Sequence, residues 1–371
     1  MDIELGVPGQ IMPPADKAVT LAQKNEADGF DAVWWPDHLM GWHPDSIWTE
    51  DISPIAGFQP NPHQYFDPLM MMGHVGANLE TARVGTVVTD LIRTHPAVMA
   101  QRMLTVDHLT KGKGILGLGS GERLNITPYG MKFEKPVGLL DEGIDIIKLL
   151  WKAEGKVDFE GEHFRLKDAV LGMFPYGDKD PEIWTASHGP RMLRITGRKA
   201  DGWLPTKDTP EKYRAMLETI RAAGAEEGRD MDAFTPGMLG YILVGPDEET
   251  VERMTHHALV RMLCIMLPSE VYHRLGFVGP FEGYGSGFHD FIPAAADRSE
   301  SERIVEAIPP PVVRHYAFTG TVEQVAEEIT AYYDAGLRHL VMWNVTAFGD
   351  PSLAGWSFGA MKQLKSMLKG A

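Results

Sequence analysis

The stretch that decides the fold is Thr321–Trp343, TVEQVAEEITAYYDAGLRHLVMW. It reads as one helix followed by one buried strand. Thr321-Val322-Glu323-Gln324 is a capping-box pattern, in which threonine at N-cap and glutamine at N3 satisfy each other's backbone N–H groups. Val322, Val325, Ile329 and Tyr332 then form one apolar stripe at helical spacing. Gly336 stands where a helix ends in a left-handed residue. His339 to Trp343 follows, apolar on nearly every residue, as a strand covered on both faces must be.

The same unit recurs along the chain. Further apolar runs lie at Ile3–Val7, Ala32–Trp35, Ala82–Val88 and Gly114–Leu118, and then at Glu182–Thr185, Gly202–Leu204 and Met238–Val244. Helical patterns lie between them, at Lys17–Asp28, His95–Leu109, Leu139–Trp151, Arg191–Lys199 and Pro210–Glu227. Eight strand–helix units predict a (β/α)8 TIM barrel, one domain over residues 1–371. An open doubly wound sheet is the alternative, and it lacks the reason for eight. Two insertions, about 41–67 and 277–315, exceed ordinary loop length and follow the second and seventh runs. Loops after barrel strands open onto the catalytic face. Trp42, Trp48, Phe58, Tyr65 and Phe66 in the first insertion either line an apolar substrate pocket or bury the loop against the rim. Val157–Leu166 reads as a hairpin turning at Glu160-Gly161.

Composition narrows the partners. A formal net charge of −16 repels phosphate backbones and anionic lipid, which argues against nucleic acid and membrane surfaces. The single cysteine, Cys264, lies in an apolar run and cannot form an internal disulfide, so a cytoplasmic setting is expected. The start of the chain lacks a signal-peptide pattern, and no apolar run is long enough to span a membrane.

Strand C-terminal ends are where barrel chemistry sits. The second run leads into Pro36-Asp37-His38-Leu39-Met40-Gly41-Trp42, an acid beside an imidazole beside an indole. Imidazole titrates near neutrality and suits proton transfer. The competing reading has Asp37 capping the turn, His38 hydrogen-bonded and Trp42 packing. The fourth run leads into Gly119-Ser120-Gly121-Glu122-Arg123-Leu124-Asn125, where glycines admit a close ring or phosphate and Glu122 offers a carboxyl. A Rossmann fingerprint fails there, because Glu122 stands where its third glycine belongs. Ser187-His188-Gly189 precedes a helix start, a place for a phosphate or an ordinary turn. His256-His257 lacks metal-ligand spacing, and no metal site is expected.

Taken together, these segments resemble the luciferase-like hydride transferases that use the deazaflavin coenzyme F420. The resemblance rests on Asp37-His38 with Trp42, Gly119-Ser120-Gly121-Glu122 with Asn125, His95 to Gln101, Tyr129-Gly130, Asp158 to Gly161 and Gly189 to Trp203. Within that family the likeness is strongest to phthiodiolone ketoreductase-like members, through Pro181–Trp184, His188–Arg194, Asp290–Pro293 and Phe318–Thr321. It implies an oxidoreductase moving a hydride between the deazaflavin C5 and a ketone or secondary alcohol, on an apolar or lipid-like small molecule. An FMN-dependent monooxygenase on the same scaffold is the alternative. The resemblance makes His38 the acid/base partner, Trp42 a wall on the substrate side and Glu122 a second acid facing the ring. It implies a cis peptide at Val87-Val88 behind the ring. It gives Asp37, Ser120, Gly121, Asn125, Ser187, His188 and Gly189 to the cofactor, and it implies a homodimer. It does not extend to a sugar-phosphate site: Gly9-Gln10 replaces an early glutamate, and although Lys207 matches one cation, His315 replaces an arginine.

Overall fold

The computed structural model describes residues 1–370 apart from Glu282 and Tyr284, so those two positions of the second insertion lie outside the described residues. Eleven strands appear among them. They are β1 (Glu4–Pro8), β2 (Ala32–Trp35), β3 (Arg83–Thr86), β4 (Gly114–Leu118), β5 (Val157–Glu160), β6 (Arg165–Ala169), β7 (Glu182–Thr185), β8 (Gly202–Trp203), β9 (Thr235–Val244), β10 (Phe318–Gly320) and β11 (His339–Asn344). Strands β9, β11, β1, β2, β3, β4, β7 and β8 pair in that order, all parallel, and β8 pairs back to β9. The sheet is thus a closed eight-stranded barrel with helices between strands, the (β/α)8 architecture that the alternation predicts. All eight predicted runs are barrel strands. The open-sheet alternative is excluded by the β8–β9 pairing.

Two tryptophans fill the barrel. Trp34 and Trp184 meet at a 5.4 Å ring separation, with His339 edge-on to both. Glycines on facing strands make room for them. A Cβ on Gly6 or Gly85 would stand 2.4 Å from the Trp34 ring, and one on Gly202 would stand 2.5 Å from Trp184. Large and small residues therefore alternate around the interior, as a tapered barrel requires.

The helix Val322–Asp334 carries the full capping box, with Gly336 at φ +112° just beyond it. The predicted hairpin is β5–β6. β10 was not expected, being too short to show a period. It pairs with the upper half of β9 and continues the wall where two-residue β8 stops.

The second insertion departs from the loop expected of it. It contains helices Gly287–Asp290, Arg298–Glu306 and Pro310–Tyr316, preceded by Ala258–Met262 and Ser269–Arg274. Its Gly and Pro content hid a legible signal: Asp297 caps the Arg298–Glu306 helix by accepting from the Glu300 N–H at 2.8 Å. Together the insertions and the segment just before the second build a second apolar core over the barrel mouth, with Met40, Trp42, Ile47 and Trp48 from one side and Leu259, Ile265, Phe291 and Ile304 from the other. Arg298 bonds the Ser46 carbonyl and Asp51, and the Ser46 and Ser301 hydroxyls meet at 2.8 Å. This roof lies over the C-terminal ends of the strands.

Candidate functional site

His38 leaves β2 just after its last paired residue and is held from β4's side. The hub is Asn125, at 1% exposure, in the short turn Arg123–Asn125. Its carbonyl oxygen accepts from the Leu39 N–H at 2.7 Å and the Met40 N–H at 2.9 Å. Its amide nitrogen lies 2.9 Å from His38 Nδ1 and 2.9 Å from Glu122 Oε2. Glu122 Oε2 is itself 3.3 Å from His38 Nδ1. The carboxyl is thus aimed at the histidine, which differs from the expectation that it faces a ring directly. Trp42 packs edge-on to His38 at 5.4 Å, and Phe288 packs edge-on to Trp42 at 5.8 Å. Tyr65 flanks His38 at 5.1 Å, its hydroxyl kept protonated by burial and by the Glu122 charge.

The first insertion's aromatics divide. Trp42 and Tyr65 reach the site. Trp48 lies in the roof core and donates to the Gln59 carbonyl at 2.6 Å. Phe58 is 87% exposed and lines nothing. His43, next to Trp42, donates from Nε2 to the Leu259 carbonyl in the roof at 2.8 Å, and burial pulls its pKa down to about 4. A neutral ring facing a carbonyl must donate, so its proton sits on Nε2.

Asp37 does not reach the mouth as a free carboxylate. Arg93 pairs with it at 2.9 Å and with Asp90 at 2.6 Å, and Thr89 donates to Asp37 at 2.5 Å. Burial works against the Arg93 charge, and the two carboxylates overcome it. This network locks the ends of β2 and β3 together. Sequence reading gave no role to Arg93 or Asp90, although Asp90 lies only two residues beyond the third run.

The Val87–Val88 peptide is cis, as the resemblance implies. Val87 closes the top of the barrel interior. Behind it a Cβ on Gly117 would strike the Thr86 carbonyl, and one on Gly119 would meet Val88 at 2.7 Å. Those two glycines are thus needed for strand packing. Gly121 has φ +83°, which favours glycine. Ser120 and Gly121 stay partly exposed beside this floor.

The Ser187 hydroxyl is buried, bonded to Thr196 Oγ1 at 2.9 Å. His188 Nε2 lies 3.1 Å from the Thr206 hydroxyl. Gly189 is exposed and opens helix Pro190–Lys199 without a side-chain cap, which leaves first-turn N–H groups for an anion. Lys207 is turned inward: its ammonium pairs with Glu328 at 2.7 Å and donates to the carbonyls of Arg314, His315 and Ala317.

Two cavities lie away from this mouth. One of about 400 Å³ is lined by residues 76–80, Leu109, Thr110, Lys111 and Lys113, before β3 and β4, at the opposite end of the barrel. One of about 360 Å³ lies outside the rim, between Leu91, His95, Met131 and Phe164.

The fold and site define a barrel of one kind, and the chain belongs to the luciferase-like monooxygenase family, whose model matches residues 3–339. It is 35% identical over 346 residues to the phthiodiolone/phenolphthiodiolone dimycocerosates ketoreductase of Mycobacterium tuberculosis, covering 92% of this chain and 91% of that protein. It is 28% identical over 335 residues to the F420-dependent glucose-6-phosphate dehydrogenase of Kineococcus radiotolerans, covering 88% and 86%. The structure of an F420-dependent secondary alcohol dehydrogenase in complex with an F420-acetone adduct superposes with a TM-score of 0.74 at 20% identity, over all of both chains.

Proposed function

We propose that this protein is an F420-dependent oxidoreductase that exchanges a hydride with a ketone or secondary alcohol of apolar, lipid-like character. The observation that carries it is His38, held at the barrel mouth by Asn125 with Glu122 behind it. The fit to a deazaflavin is local. The cis Val87–Val88 peptide and the partly exposed Ser120-Gly121 backbone would lie against the ring, and the uncapped helix at Gly189 offers N–H groups to a phosphodiester. When bound, the reduced cofactor supplies a hydride at C5. His38 delivers the proton to the developing alkoxide in reduction and takes it back in oxidation. Trp42 and Phe288 wall the substrate side with apolar surface and exclude water.

A phosphorylated sugar does not suit the site. Lys207 spends its ammonium on Glu328 and three carbonyls and is not free for a phosphate. Glucose 6-phosphate is therefore expected to give no turnover where an apolar ketone does.

The test is titration of the protein with F420 and with FMN separately, read by quenching of its nine tryptophans. F420 is expected to saturate the signal and support ketone reduction. Tight FMN binding with oxygen uptake would overturn the reading.

A further inference from the structure

The amide of Asn125 cannot turn over. Its carbonyl oxygen faces two backbone N–H groups, Leu39 at 2.7 Å and Met40 at 2.9 Å, and a backbone N–H only donates. Flipping the group would set its NH2 against those two backbone donors and leave buried hydrogens without acceptors. The nitrogen therefore faces His38 Nδ1 and Glu122 Oε2, both at 2.9 Å. One of its hydrogens goes to each. A nitrogen that receives a hydrogen bond presents a lone pair, so Nδ1 carries no proton and the neutral ring carries it on Nε2.

We propose that Asn125 is a positioning residue that fixes the tautomer of His38, with Nε2–H as the donor and Nδ1 as the acceptor facing Asn125 and Glu122. The inference rests on the functional reading above only for its consequence in turnover. Asn125 was expected among the cofactor ligands. Its side chain is buried and fully engaged within the protein, so it acts through His38 instead.

The tautomer prescribes the proton path. In ketone reduction the Nε2–H bond breaks as the proton passes to the substrate oxygen. A proton from solvent replaces it on Nε2, so the ring returns to the tautomer that Asn125 fixes. The histidine ends the cycle neutral, and Glu122 Oε2 remains the acceptor of the second Asn125 N–H. The other titratable groups facing His38 are Tyr65 from the first insertion and Asp37 on its own segment, the latter neutralised by Arg93.

Nitrogen-15 NMR of histidine-labelled protein reads the tautomer directly, without cofactor. The chain has 14 histidines, and the His38 signals are assigned by their loss in His38→Gln. Wild-type His38 is expected to show the Nε2–H pattern. Asn125→Asp keeps an acceptor for Leu39 and Met40 but places an oxygen against Nδ1. It is expected to reverse the pattern to Nδ1–H and to move the basic limb of the reduction profile up by about one pH unit or more, a tenfold change in proton occupancy. A purely structural Asn125 would lower the melting temperature and leave the tautomer alone. An Nδ1–H pattern in the wild type, or an unreversed one in Asn125→Asp, overturns the proposal. The wild-type spectrum decides even if the variant fails to fold. Absence of F420 turnover would break the functional reading and leave this result intact.

Discussion

The barrel carries a histidine–glutamate pair at each end, and the two pairs differ in what surrounds them. At the mouth, His38 and Glu122 lie 3.3 Å apart, with side chains 12% and 23% exposed and Asn125 between them. At the floor, His339 and Glu4 lie 2.9 Å apart, on paired residues of β11 and β1. His339 is fully enclosed between Trp34 and Trp184, and its second nitrogen has no partner among the described residues. Residue types alone do not separate these pairs. Access and a third polar group do, since proton transfer needs a ring nitrogen that substrate reaches and a partner that fixes the other one.

Removing each imidazole in turn separates the two pairs most strongly. His38→Ala is expected to lower ketone turnover on the order of 100- to 10,000-fold while F420 affinity, read by tryptophan quenching, holds. Unchanged turnover would leave both pairs structural. His339→Ala is expected to do the reverse. It opens a hole between two indoles and strands Glu4, costing about 2–4 kcal/mol in denaturant unfolding with turnover per folded molecule preserved.

Acid sharpens the contrast further. Burial lowers the His43 pKa to about 4 from 6.5, and burial lowers that of His339 as well. The unfolded chain therefore binds protons that the folded chain refuses. Stability is complete above about pH 6.5 and falls as pH drops through the window to 4, by roughly 3 kcal/mol for His43 alone. His43→Phe, which keeps a ring against Trp48 and Phe348, is expected to flatten that loss in thermal melts at pH 7 and 5. A loss as steep as in the wild type would assign it elsewhere. The smallest effect belongs to Glu4→Gln. Its carboxyl is held below the ordinary range first by the hydrogen bond from His339, but it is 48% exposed, so the change should cost about 1 kcal/mol or less at pH 7.

The barrel was legible because its strands are buried on both faces, which writes an apolar run into every one, and because prolines and caps mark the helix starts. The short strand β10 and the roof helices were not. Three residues show no period, and Gly and Pro in 277–315 masked the Asp297 cap. At the site, His38 and Glu122 could be picked out by type and place. The role of Asp37 could not, because Arg93 lies 56 residues away and meets it only when β2 and β3 align. Asn125 gave no sign of being a hub, since two of its four partners are backbone amides, which any sequence supplies. The cis Val87–Val88 peptide followed from resemblance and from no property of two valines.

The seam between the two insertions bears on how the chain is made. Ser46 and Ser301 meet across a sequence separation of 255 residues, and Arg298 reaches Asp51 across 247. Contacts this distant in sequence form late, because the chain between them must first be drawn together. On a ribosome, the half-roof around Trp42 waits for its counterpart until seven of the eight staves have been synthesised. The site is thus completed near the end of synthesis, and a chain interrupted before residue 298 has the histidine and the glutamate but only half of the roof over them.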